Sequence, residues 1–145
     1  MAILSNSTEL SLLTRIEAAI NAHDLEALVG CFSPNYRAEI PNHPARSFSG
    51  ADQVRRNWVQ IFAAVPGITA TLLASASNGP CVWGEWRWDG TRADSDPFAM
   101  AGVTIIEVEG DRVASARFYM EPVEAASGDV AADVRRVTGQ GTGAR

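Results

Sequence analysis

The sequence predicts an α+β domain in which helices pack a curved antiparallel sheet. Two observations carry this reading. Apolar residues recur every three to four positions in residues 7–32 and 54–65. Beyond residue 67 the period falls to two, and Asn78-Gly79-Pro80, Asp89-Gly90 and Gly110-Asp111 turn the chain between strands.

Leu10, Leu13, Ile16 and Ile20 form the stripe of a first helix, and Leu25, Leu28, Val29 and Phe32 repeat it after the break Asn21-Ala22-His23-Asp24. Asp24 suits the start of the second helix, because its carboxylate can accept a free backbone N–H there. Ser33-Pro34-Asn35 is expected to stop that helix, and the alternation in Tyr36–Ile40 predicts a first strand. Pro41–Gly50, with two prolines and a glycine, reads as a loop. Ser49 and Asp52 form a capping-box variant for a third helix, whose stripe is Val54, Trp58, Ile61, Phe62 and Val65 and which Pro66-Gly67 ends.

Four strands are expected to follow, over 68–77, 81–88, 98–108 and 113–119. After Val123 the composition shifts to alanine, glycine and small polar residues. Residues 1–123 therefore read as the folded domain and 124–145 as a mobile tail with room for a short helix at Val130, Val134 and Val137.

A chain of 145 residues with 46% hydrophobic and 20% charged residues is an ordinary single globular domain, large enough for a core and a cavity. The net charge of −5 argues against a nucleic-acid or anionic-membrane surface, both of which need a basic footprint. The opening Met-Ala-Ile-Leu is too short for a secretory signal, and no apolar run approaches the ~20 residues of a membrane span, so the expected location is the cytoplasm. Cys31 and Cys81 sit in apolar contexts without ligand spacing and read as buried, reduced thiols rather than a disulfide. Two isolated histidines make no metal cluster, and there is no G-x-G-x-x-G, P-loop or G-x-S-x-G. The expectation is a protein without metal or cofactor.

The stretch PFAMAGVTIIEVEGDRVASARFYME, residues 97–121, organises the rest. Strand parity sends Arg117, Tyr119 and Glu121 to one face and Phe118 and Met120 to the other, so the polar set either is wet or lines a pocket. On the strand before it, Trp86 and Trp88 share a face with Gly84, and Trp83, Glu85 and Arg87 share the other. The first set makes a flat aromatic wall if it faces a cavity, and otherwise packs the core or a dimer face. Met100 and Thr104 would join that wall from the neighbouring strand.

The order of elements, the N-A-H-D-L-E-A-L break, the strand, proline loop and helix from Tyr36 to Trp58, and the final hairpin ending in R-F-Y-M-E resemble the SnoaL-like members of the nuclear-transport-factor-2-like superfamily, over about residues 8–123. The resemblance implies a cone-shaped domain: three N-terminal helices close over the bent sheet and leave an apolar pocket. It further implies a homodimer through the outer sheet face. Its members include polyketide cyclases, ketosteroid isomerases, epoxide hydrolases and scytalone dehydratases, as well as proteins that only bind a ligand or partner, so the fold alone does not choose among them.

Each chemistry asks for particular residues. The isomerase pattern requires a carboxylate just before the first strand's proline, where this chain has Ile40, and an acidic donor where it has Thr104. Glu39 lies one place off, and whether Glu39 or Ile40 faces the pocket stays open. The epoxide-hydrolase Asp-Arg-Asp set has one match of three, at Glu121, with tryptophans in the other places. A cyclase asks only for one base and an apolar wall.

The resemblance therefore implies catalytic roles for Glu121 as base, Tyr119 as donor to a developing oxyanion, and His43, on the proline loop, in proton transfer. Trp86, Trp88, Met100, Thr104, Arg117 and Glu39 are expected to contact substrate, with Arg117 also able to pair with Glu85 or Glu39. The alternatives are a solvated carboxylate at 121, a core tyrosine at 119 and an exposed loop histidine at 43. Arg46, on the same loop, can hold a substrate carboxylate or be a solvated charge. The resulting expectation is an acid–base enzyme acting on a hydrophobic, oxygenated small molecule as a cyclase, isomerase or hydrolase. A non-catalytic binding or dimerisation module is the alternative.

Overall fold

The computed structural model describes residues 2–124 and 128–140, with side-chain burial from Glu9 onward. The helices are α1 (Ala2–Ala22), α2 (Leu25–Val29), α3 (Ala51–Ala64) and α4 (Val130–Thr138). The strands are β1 (Phe32–Glu39), β2 (Phe48–Ser49), β3 (Thr69–Asn78), β4 (Cys81–Thr91), β5 (Pro97–Glu109) and β6 (Arg112–Pro122). They form one six-stranded sheet in the order β2-β1-β6-β5-β4-β3. Strands β3 to β6 are an antiparallel meander, while β1 joins it parallel to β6.

The apolar stripes do what their spacing demands. Leu13 and Ile20 of α1, Leu28 of α2, Val54 and Trp58 of α3 bury against Val82, Trp86, Trp88, Ile106 and Ala116 of the sheet. Asp24 caps α2 by accepting from Ala27 N–H at 3.0 Å. Among the described residues no helix is long and apolar enough to cross a membrane.

Several local expectations are corrected. α2 is a single turn and a half, and Phe32, Ser33, Pro34 and Asn35 belong to β1. Proline is tolerated there because the β1–β6 register is interrupted between Phe32 and Arg37, where no ladder bond is lost. The capping box does not form: Gly50, at φ 96°, precedes α3 with no side-chain cap bond, and Ser49 is spent in β2. Cys81 is half-buried rather than buried, and both cysteines are free. The short helix allowed for at Val130, Val134 and Val137 is present as α4, with Asp129 accepting from Ala132 N–H at 2.6 Å, and residues 125–127 and 141–145 lie outside the described residues.

Candidate active site

Helix α3 crosses the sheet with Gln53, Val54, Asn57, Trp58 and Ile61 on one face, and these look down on Tyr36 and Ala38 of β1 and on the even-numbered residues of β4 to β6. Between them lies a cavity of about 540 Å³. Cross-strand register sets its sheet wall in rows, Ile106 beside Ala116, Thr104 beside Phe118, and Trp88 beside Met100, with Trp86 between the last two rows on β4. Trp88 sits edge-on to Trp58 at 5.3 Å and tilted against Phe118 at 6.1 Å. Trp86 donates its indole N–H to Thr104 Oγ1 at 3.0 Å. Trp86, Trp88, Met100 and Thr104 thus all line the cavity: of the alternatives that parity left open for the Trp86 and Trp88 face, it is the inner one.

The other expected contacts are not there. Phe118, not Arg117 or Tyr119, faces the cavity, and neither Glu121 nor Glu39 belongs to its wall. The cause is one residue. Leaving the Gly110-Asp111 turn, Val108 pairs with Val113, but Glu107 then pairs with Ser115, so Ala114 is an extra residue on β6. An unbroken hairpin would set Thr104 and Met100 opposite Arg117 and Glu121. The bulge slips the register by one and turns the polar set to the outer face. Ile40, not Glu39, lines the cavity, because Tyr36 and Ala38 fix the inward parity of β1. Arg117 makes no ion pair with Glu85 or Glu39, although its Cα is in register with that of Glu39.

His43 and Glu121 do meet. His43 Nε2 is 3.0 Å from Glu121 Oε2 and 3.3 Å from Oε1, with both side chains partly exposed. The pair stands outside the cavity wall, though Ile40 and Arg46, on either side of His43 in the chain, are part of it.

Besides Thr104 and Arg46, the polar groups that reach the cavity are Tyr36, Gln53 and Asn57, which were not singled out by pattern. Tyr36 is buried, its ring edge-on to Phe32 and Phe48, and its hydroxyl has no partner among the described residues. Burial pushes that hydroxyl well above the ordinary tyrosine range, so it is a neutral donor. Gln53 and Asn57 share the α3 stripe with Val54 and Trp58, and Gln53 Nε2 donates to Asn57 Oδ1 at 2.8 Å. The signals were present: Tyr36 has the same parity as Ile40, and Gln53 and Asn57 are one turn apart beside the apolar stripe. The indole N–H of Trp88 is buried without an acceptor. Among the described residues no group of three histidine, cysteine, aspartate or glutamate side chains could hold a metal ion.

The profile of the family described as SnoaL-like domain matches residues 13–116 of this chain. No curated protein matches it. Among solved structures it is similar to IdmH of Streptomyces antibioticus, a candidate polyketide cyclase, with TM-score 0.69 and 19% identity over 78% of this chain and 91% of that one. It is also similar to an LEH-like epoxide hydrolase of M. tuberculosis, with TM-score 0.68 and 12% identity over 79% and 84%. An NTF2-like protein from Anabaena variabilis gives TM-score 0.67 and 15% identity over 81% and 89%. At these identities the likeness is one of fold.

Proposed function

We propose that this chain, which belongs to the SnoaL-like domain family, holds a planar, apolar, oxygen-bearing small molecule in its cavity and acts on it by acid–base chemistry, as a cyclase, isomerase or hydrolase. The observation that carries the reading is the cavity itself. Its volume of about 540 Å³ is that of a ligand site, and Trp58, Trp86, Trp88 and Phe118 supply flat apolar walls. Tyr36 gives it chemistry. A phenol kept neutral by burial and without a partner among the described residues donates to a carbonyl oxygen where negative charge develops, which weakens the neighbouring C–H bond.

The test is a screen of aromatic polyketides, steroids and epoxides for conversion, followed by Tyr36→Phe. Loss of turnover with affinity retained supports an enzyme; a change in affinity alone supports a binding module.

A second reading keeps His43 as the proton acceptor, held by Glu121. The 3.0 Å contact between them favours it, together with the position of their loop between two cavity-lining residues. Tyr119 then stays an outer-face residue. A homodimer through the outer face belongs to the same proposal. Leu73 and Trp83 are exposed there at 56% and 37%, beside half-buried Val103 and Ile105. Sedimentation as a monomer at micromolar concentration would remove it.

A further inference from the structure

We infer that the molecule taken up by this cavity carries a carboxylate, and that Arg46 and Asn57 recognise it. The inference rests on the pocket reading above and narrows its substrate class.

A hydrogen-bond relay on α3 sets the polarity of the cavity edge. Arg56 can only donate, and it does so to Gln53 Oε1 through Nε at 3.3 Å and Nη2 at 2.7 Å. The oxygen of Gln53 is therefore turned to Arg56 and its Nε2 to Asn57, whose Oδ1 accepts at 2.8 Å. With its oxygen engaged, Asn57 has its Nδ2 donors left over, and they find no partner among the described residues. The cation that dictates this orientation is outside the cavity wall, so the relay holds whether or not a ligand is bound.

The remaining polar groups share that polarity. Tyr36 offers an O–H without an acceptor. Thr104 Oγ1 already accepts from Trp86, which leaves its hydroxyl hydrogen to give and one lone pair. Arg46 is the one charged side chain of the wall and has no carboxylate partner among the described residues. The cavity has donors to spare and no anion of its own. Its complement is a ligand rich in lone pairs, and a guanidinium fork fits a planar carboxylate through two parallel bonds. A neutral carbonyl would satisfy Tyr36 or Asn57 and leave Arg46 unmatched.

The test uses two near-isosteric probes, 2-naphthoate and 2-naphthamide, titrated calorimetrically into the wild-type protein and into Arg46→Gln and Asn57→Asp. The naphthoate is expected to bind about tenfold tighter than the amide. Arg46→Gln is expected to abolish that ratio with the amide's affinity held, and Asn57→Asp, which swaps a donor for a negative charge, to weaken the naphthoate alone. Equal binding of the two probes by the wild type, or a ratio that survives Arg46→Gln, would overturn the inference and leave the pocket reading standing. Binding of neither probe would overturn both.

Discussion

His43 and Glu121 form a contact of 3.0 Å between the proline loop after β1 and the C-terminal end of β6. With the side chains 35% and 47% exposed, the pair is worth about 0–1 kcal/mol of stability. Glu121→Gln and His43→Ala are expected to leave the melting temperature and the affinity for an apolar probe nearly unchanged. If His43 takes the substrate proton, each variant loses about 100-fold or more in turnover, and the double variant loses little further. Unchanged turnover in both would remove the pair from the chemistry.

Tyr36 makes stability depend on alkaline pH. Its folded form resists ionisation because burial disfavours the phenolate, while the unfolded chain releases the proton near the ordinary value of ~10. Above that pH the unfolded state binds fewer protons than the folded one, so stability falls as pH rises, and it is fully present below. Denaturant titrations between pH 9 and pH 11 are expected to show this slope, and Tyr36→Phe to flatten it. A slope unaltered by the substitution would mean that the hydroxyl reaches water.

Gly102, at φ +148°, lies in the row between Trp86 and Met120, and a Cβ there would come within 2.2 Å of the Tyr119 carbonyl oxygen and 2.7 Å of Met120 Cα. Both obstacles are backbone and cannot swing aside. Gly102→Ala is expected to cost more than about 2 kcal/mol, against about 1 kcal/mol for Gly79→Ala, which has open space and only an unfavourable φ. Equilibrium denaturation of the two variants measures the difference.

The two thiols differ in reach. Cys31 is 1% exposed, donates to Ala27 O at 3.4 Å, and burial pushes its thiol above the usual range, whereas Cys81 is half-buried at the start of β4. A thiol reagent at neutral pH is expected to modify one cysteine quickly, with the second requiring denaturant. Two fast thiols would mean that the α2–β1 junction opens readily.

The architecture was legible because each element announces itself locally. Val54, Trp58 and Ile61 mark α3 by spacing, and Gly110, at φ 64°, marks the last hairpin. Trp86, Trp88, Met100 and Thr104 were legible as one wall for the same reason. The facing of β6 was not. Its two parities are Ala116, Phe118, Met120 and Arg117, Tyr119, Glu121, and a turn of two residues implies one alignment against β5 while the extra Ala114 imposes the other. A bulge is set by how the strand twists against its neighbours and leaves no mark in composition. The cue available was hydrophobicity, since the more apolar parity goes inward. Tyr36 lay on the predicted first strand, but nothing local marks its hydroxyl as facing a cavity; Arg46 was legible only as a loop cation with a solvated alternative; Gln53 and Asn57 were missed because a polar residue near an apolar stripe reads as solvated until something is found opposite it.

The parallel pairing of β1 with β6 joins residues such as Arg37 and Ser115 that are far apart along the chain. On a ribosome, α1 to α3 and the first two meander strands are made well before the last strand emerges, and until it does β1 has only the two residues of β2 beside it. The cavity's aromatic wall is therefore completed only when Phe118 is made, and the sheet closes last at the β1–β6 seam.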